Sequence, residues 1–269
     1  MRLARDRAIR ATRTPDGPAT IELTLRGDAL RVEAWGPGAD RALAATPGMA
    51  GIEDGRDGFA PKDRLVADLH RRMPGLRIGR TGAVLEALIP AILEQKVTGT
   101  EARRAYRGII ARWGEDAPGP FGLRLLPRPE VLARLPYEAF HPIGLERRRA
   151  DLVRTVAARA ARFEEIVDMP LPDAYRRLTA LPGLGPWTAA EVALRALGDV
   201  DAVSVGDFHI PSMVAFALAG ERRATDARML DLLEPYRGQR GRVIRLLEAS
   251  GIRPPARGPR MPVRSIVGI

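Results

Sequence analysis

Two short stretches of the sequence hold residues whose types and spacing could do chemistry. The first is Leu181-Pro182-Gly183-Leu184-Gly185, followed at once by Pro186-Trp187-Thr188. An amphipathic helix ending at Leu181, a turn with two glycines and a second amphipathic helix opening near Pro186 would present unpaired N–H groups and a positive dipole end where the backbone can be closely approached. Such a place suits a phosphate, and holding a phosphate reads no base sequence. Pro186 fits a first helical turn because it has no N–H to satisfy and a preset φ. The same spacing also describes a plain helix–helix corner. The second stretch centres on Asp207, 20 residues beyond Trp187, after the apolar run AVSV and at the expected start of a helix. An aspartate there caps the helix, and a fixed carboxylate can also take or orient a proton.

Absences narrow the chemistry further. With no Cys, the chain offers no disulfide, thiol nucleophile, cysteine-ligated zinc or cysteine-held iron–sulfur cluster. Lys62 and Lys96 are the only lysines, so a Schiff-base mechanism would have to use one of them. His70, His141 and His209 are too few and too spread for a histidine-rich metal site, and no metal ligands are expected. The balance of 43 Lys+Arg against 33 Asp+Glu, a net charge of +10, fits a polyanionic partner and equally fits a general bias toward arginine. No apolar run is long enough to span a membrane, and the first residues lack the apolar region of a signal peptide, so a cytoplasmic, nucleoid-associated monomer is expected.

The elements that must position these residues follow from periodicity. Residues 8–14, 19–26 and 29–36 alternate apolar and polar side chains between Pro/Gly/Asp breaks, predicting a small antiparallel sheet. Helical spacing then takes over, with expected helices at 81–95, 100–113, 128–135, 145–165, 172–180, 187–197, 208–219, 225–235 and 240–250. The fold class is α+β, mainly α. The expected division is a small α/β domain over 1–80, an all-α core over 81–250 and a basic, Pro-rich tail over 251–269.

The turn at 181–189 is similar to the helix-hairpin-helix of DNA glycosylases, and closely so to that of the 3-methyladenine DNA glycosylase II family. AILEQKVTGTEARRAYRGIIARWG resembles the family's paired-helix segment, and RLLPRPEVLARLPYEAFHPIGLERRRADLVRTVAARA the segment after it. DAVSVGDFHIPSMVAFAL resembles the stretch that bears the catalytic aspartate. The likeness runs over roughly 81–250.

That resemblance implies a monofunctional enzyme of base excision repair, which flips a damaged purine out of double-stranded DNA and hydrolyses its N-glycosidic bond. It implies a two-lobed core with the active site between the lobes. Asp207 would be the catalytic carboxylate. Trp187, Glu191, Gln239 and Phe208 would lie in the substrate pocket, and Leu181, Gly183, Leu184, Gly185, Thr188, His209, Gln95, Lys96 and Arg240 against the DNA. Relatives that also cut the backbone use a lysine where this chain has Trp187, whose indole forms no Schiff base and can instead face a cationic alkylpurine. A monovalent cation, K+ or Na+, held by hairpin carbonyls is implied, and no required cofactor. Glu191 and Gln239 stand where the family often has aromatics, so the lesion is open between alkylated and oxidised or deaminated bases. Arg237, Arg240, Arg242 and Arg245 are expected to form a basic edge. A non-catalytic DNA-binding protein and a purely structural helical protein are the rival classes.

Overall fold

The computed structural model describes residues 1–255. Four strands come first: β1 (Arg2–Leu3), β2 (Arg7–Thr14), β3 (Gly17–Arg26) and β4 (Ala29–Trp35). The principal helices follow in chain order as α1 (Ala39–Ala44), α2 (Arg64–Arg72), α3 (Val84–Glu94), α4 (Gly99–Trp113), α5 (Pro129–Arg134), α6 (Arg147–Ala158) and α7 (Ala160–Glu164). The last are α8 (Leu171–Thr179), α9 (Pro186–Val192), α10 (Ile210–Ala219), α11 (Asp226–Leu233) and α12 (Arg240–Ser250). Single helical turns connect several of them. No helix among the described residues is long and apolar enough to cross a membrane.

The chain forms two compact units, each built from two separate stretches. The first holds Met1–Pro47 and Gly82–Val167, and the second holds Gly48–Thr81 together with residues 168–255. In the first unit the strands pair in the order β1-β2-β3-β4, all antiparallel, with Thr14 opposite Gly17 at the tip of the β2–β3 hairpin. Ile9, Ala19 and Ile21 are buried, as a sheet with one covered face requires. Helix α3 buries Val84, Leu85, Ala87, Leu88, Ile89, Ala91, Ile92 and Leu93, so it is apolar nearly all round and runs through the interior. Glu86, one of its three residues that are not fully buried, ties helix to sheet: the carboxylate accepts from Arg10 Nη2 at 2.7 Å, Thr12 Oγ1 at 2.8 Å and the Arg13 N–H at 3.0 Å.

The second unit is a helical body around Val66, Leu69, Ile210, Met213, Val214, Met229, Leu233, Val243, Ile244 and Leu247. Asp54 and Arg242 form a fully buried ion pair in it, with Arg242 Nη1 donating to Asp54 Oδ2 at 2.9 Å. Asp54 also accepts from the Ile78 N–H at 2.8 Å, so one carboxylate joins the 48–81 stretch to α12.

Several elements depart from expectation. Residues 145–165 do not form one helix, because Arg159 leaves helical geometry at φ −113° and ψ 21° and separates α6 from α7. The helix expected over 187–197 stops as an α-helix at Val192 and continues as a π-helical segment over Ala193–Leu197. The strand Arg2–Leu3 has no counterpart among the expected ones, and neither do Glu115–Asp116 and Arg124–Leu125, which pair as a second antiparallel sheet inside the stretch expected to be all-α. Of the tail expected over 251–269, residues 256–269 lie outside the described residues.

Candidate active site

The second unit brings the glycine turn, Trp187 and Asp207 together. Helix α8 ends near Thr179, and the chain turns at Pro182 and Gly183, with the Leu184 N–H donating to the Leu181 carbonyl at 3.0 Å. The two glycines do different things. Gly183 sits at φ +98°, a left-handed conformation that suits glycine. Gly185 has an extended backbone at φ −90° that any residue could adopt, and a Cβ built there would meet nothing within 4 Å. Its lack of a side chain therefore leaves open space at the start of α9. Leu184 is buried and pins the turn to the core, while Pro182 and Gly183 are exposed.

From α9 the chain passes through the π segment and Gly198 to a loop that ends at Asp207. The Asp207 N–H donates to the Ser204 carbonyl at 3.2 Å. The Asp207 carboxylate accepts three hydrogen bonds. Oδ1 takes the N–H of His209 at 2.7 Å and of Ile210 at 2.9 Å, closing the start of α10 as a helix cap does, and Oδ2 takes Trp187 Nε1 at 3.0 Å. Cap and candidate catalyst are thus the same group. Two backbone amides and an indole fix the direction of a half-buried carboxylate that still reaches solvent.

No family model matches the chain. The "Probable bifunctional transcriptional activator/DNA repair enzyme AlkA" of Mycobacterium tuberculosis is 32% identical over 158 residues, which are 57% of this chain and 31% of that protein. Among solved structures, the 3-methyladenine DNA-glycosylase from Archaeoglobus fulgidus superposes with a TM-score of 0.75 at 21% identity, over 91% of this chain and 87% of that one. This chain has the helix-hairpin-helix DNA glycosylase fold, and in sequence it resembles the 3-methyladenine DNA glycosylases. An 8-oxoguanine glycosylase/lyase from Clostridium acetobutylicum, solved with double-stranded DNA, also superposes, with a TM-score of 0.66 at 16% identity over 89% of this chain and 86% of that one. The fold alone therefore does not choose between the substrates for which those two proteins are named.

Within this glycosylase fold the other expected residues divide. Glu191, one turn beyond Trp187 on α9, is buried with both oxygens engaged: Ser204 Oγ donates to Oε1 at 2.6 Å and Arg195 Nη2 lies 2.6 Å from Oε2. It anchors the loop that carries Asp207 and offers no unengaged oxygen to a base. Gln239 Oε1 accepts from Arg242 Nε at 2.7 Å, which makes it a neighbour of the buried Asp54–Arg242 pair. Phe208 lines no cavity, since its side chain is 88% exposed and stands edge-to-face to His209 with ring centroids 4.9 Å apart. Thr188, expected against the DNA, is buried, with its side chain turned into the protein. Gln95 and Lys96 belong to the first unit, at the turn from α3 to α4, where Lys96 is exposed at φ +55°.

The basic edge expected from Arg237, Arg240, Arg242 and Arg245 does not form. Arg242 is buried against Asp54, and the others pair with Glu234, Asp201 and Glu248. Arg240 is held hardest, donating from Nε at 2.9 Å and Nη2 at 2.5 Å to the two oxygens of Asp201. Sequence reasoning missed Ser204, Asp201 and Asp54. Only the Glu191–Arg195 pair had a local signal, its i,i+4 spacing on a helix.

A cleft of about 530 Å³ opens in the second unit, lined among others by Ile78, Thr81, Leu194, Arg195, Arg245 and Glu248. Burial pushes the Glu248 carboxyl above its usual range; Arg245 opposes this, and the charges of Glu191 and Asp207 add to it. Among the described residues, no cluster of His, Cys, Asp and Glu could hold a metal ion.

Proposed function

We propose that the chain is a monofunctional DNA glycosylase that removes an alkylated purine from double-stranded DNA. The aligned stretch covers less than a third of the Mycobacterium tuberculosis relative, at 31% of its length, so the reading rests on the site. The observation that carries it is the Asp207 carboxylate, held by the His209, Ile210 and Trp187 N–H groups in the same unit as the Gly183–Gly185 turn.

The duplex presents its phosphate to the open backbone at Gly185 and the start of α9, and the damaged nucleotide rotates out of the stack at a cost of a few kcal/mol. The bond between C1′ and the base nitrogen breaks, and its electron pair leaves with the base. A cationic alkylpurine departs neutral and needs no proton. The sugar is left with oxocarbenium-like positive charge, which the fixed Asp207 carboxylate stabilises without reorganising. Water then adds to C1′, its proton passes to the carboxylate, and an abasic site and free base remain. Trp187 occupies the hairpin-helix position where a lysine would be needed for strand cleavage, so the backbone stays intact. The turn supplies backbone carbonyls as the oxygen donors that a bound K+ or Na+ would take, with Leu181 and Gly185 each accepting one internal hydrogen bond and keeping a second lone pair.

The test is release of base from duplexes with a single 3-methyladenine, 7-methylguanine, deaminated base or 8-oxoguanine, read as abasic sites. Release of an alkylated base by the native chain, lost in Asp207→Asn while DNA binding stays within about twofold, is the expected result. Release of 8-oxoguanine alone would move the proposal to oxidised bases. Full activity in Asp207→Asn would overturn the assignment.

A further inference from the structure

The outward face of α4 is a row of guanidinium groups without counter-charges among the described residues. Thr100, Arg103, Arg104, Arg107 and Ala111 recur at helical spacing on its exposed side, opposite the buried Ala102, Ala105 and Ile109, with Arg112 exposed next to them. Many arginines elsewhere in the chain are paired, among them Arg10 with Glu86, Arg13 with Glu115, Arg195 with Glu191, Arg240 with Asp201 and Arg242 with Asp54. Arg103, Arg104, Arg107 and Arg112 make no ion pair among the described residues. The one acidic residue of α4, Glu101, is occupied in a capping box with Thr98.

Left to itself this arrangement opposes helix stability. Arg103 and Arg107 are like charges at i,i+4 spacing, which repel. Arg103 also folds back so that its Nη1 would lie 3.0 Å from a Cβ at Gly99, the first residue of α4, which places a cation at the positive end of the helix dipole. Lys96, exposed in the turn just before α4 and held at φ +55°, adds a further cation to the same end of the helix. A face that repels itself and meets no counter-charge among the described residues is relieved by an external polyanion. Duplex DNA, with one phosphate charge per about 1.7 Å of axis, supplies closely spaced charge without demanding a particular side-chain geometry.

We propose that the Arg103–Arg104–Arg107 face of α4 is a DNA-backbone contact of the first unit, separate from the glycine turn of the second and reading no sequence. It rests on the glycosylase reading only in taking DNA as the partner.

The experiment is equilibrium binding of an undamaged 20-base-pair duplex, followed by fluorescence anisotropy between 50 and 200 mM salt, so that no chemistry enters. In R103A/R104A/R107A the slope of log affinity against log salt should become shallower by about 2–3, near 0.9 for each phosphate that is no longer neutralised. R103K/R104K/R107K should keep most of the slope, and R31A/R41A, which removes two paired surface arginines, should leave it unchanged. Single-turnover base release should stay within about twofold of the native chain in R31A/R41A. An unchanged slope in the alanine variant, with native melting behaviour, overturns the proposal. So does competition in which poly-glutamate displaces the chain better than duplex DNA at equal charge. A native chain that shows the slope change and releases no base keeps the α4 contact and ends the glycosylase reading; one that binds no duplex ends both.

Discussion

The indole N–H of Trp187 points at Oδ2 of Asp207 across 3.0 Å, joining the first turn of α9 to the residue that closes the start of α10. Two segments 20 residues apart are thereby held at a shared polar contact, and the orientation of the carboxylate depends on an aromatic ring as well as on backbone. Trp187→Phe keeps most of the apolar surface and removes the donor. Losing one hydrogen bond to an ionised group is worth about 1.5–3 kcal/mol, so single-turnover base release should fall roughly 10- to 100-fold with little change in duplex affinity. An equal loss of affinity and rate would mean that Trp187 acts on binding instead.

Gly183 and Gly185 separate stability from DNA binding. At φ +98°, Gly183→Ala introduces left-handed strain of about 1–2 kcal/mol and should lower the denaturation midpoint. Gly185→Ala introduces none, because its backbone is extended and the added methyl meets nothing within 4 Å. If the open space at Gly185 is where a phosphate approaches, Gly185→Ala should weaken duplex binding several-fold at unchanged stability. A Gly185→Ala variant with native affinity would remove the turn from the DNA contact.

Arg242 shows why the site was legible in the sequence and its surroundings were not. The glycine turn and Asp207 announce themselves through local residue types, since conformation, capping and dipole all act within a few positions. The partner of Arg242 is Asp54, 188 residues away, and nothing near either residue signals the pair. Read locally, Arg242 is one more cation on a polar helix. The break at Arg159 is equally silent, with no Pro or Gly to mark it, and so is the π segment at Ala193–Leu197, built from ordinary helix formers. Ser204 could not be assigned because its role is to meet Glu191 in space.

The Asp54–Arg242 pair should matter far more than the surface pairs. Both side chains are about 1% exposed. Arg242→Ala would leave the buried Asp54 carboxylate only the longer contact to Arg77, at 3.3 Å, and breaking one side of a buried pair costs about 3–5 kcal/mol. Arg31→Ala, which breaks an exposed pair with Glu33, should cost under about 1 kcal/mol. Urea denaturation of the two variants decides it; similar midpoints would mean that the buried pair contributes no more than a surface one.

Glu248 gives the pH dependence its sign. Its carboxyl is held above the ordinary 4.5 chiefly by burial, against Arg245 and with the charges of Glu191 and Asp207 adding to the rise. In the pH range just above 4.5 the folded chain therefore keeps a proton that the unfolded chain has released. With more protons bound in the native state, stability falls as pH rises through the folded pKa, and the loss persists above it. Glutamine at 248 resembles the protonated form and has nothing to release. Glu248→Gln should thus melt higher than the native chain at pH 7, and that advantage should disappear toward pH 4, where both chains carry a neutral side chain at this position. Melting curves at the two pH values test the argument. A variant less stable than the native chain at pH 7, or a difference that does not change with pH, would show that the Arg245 pair outweighs the cost of burying the carboxylate.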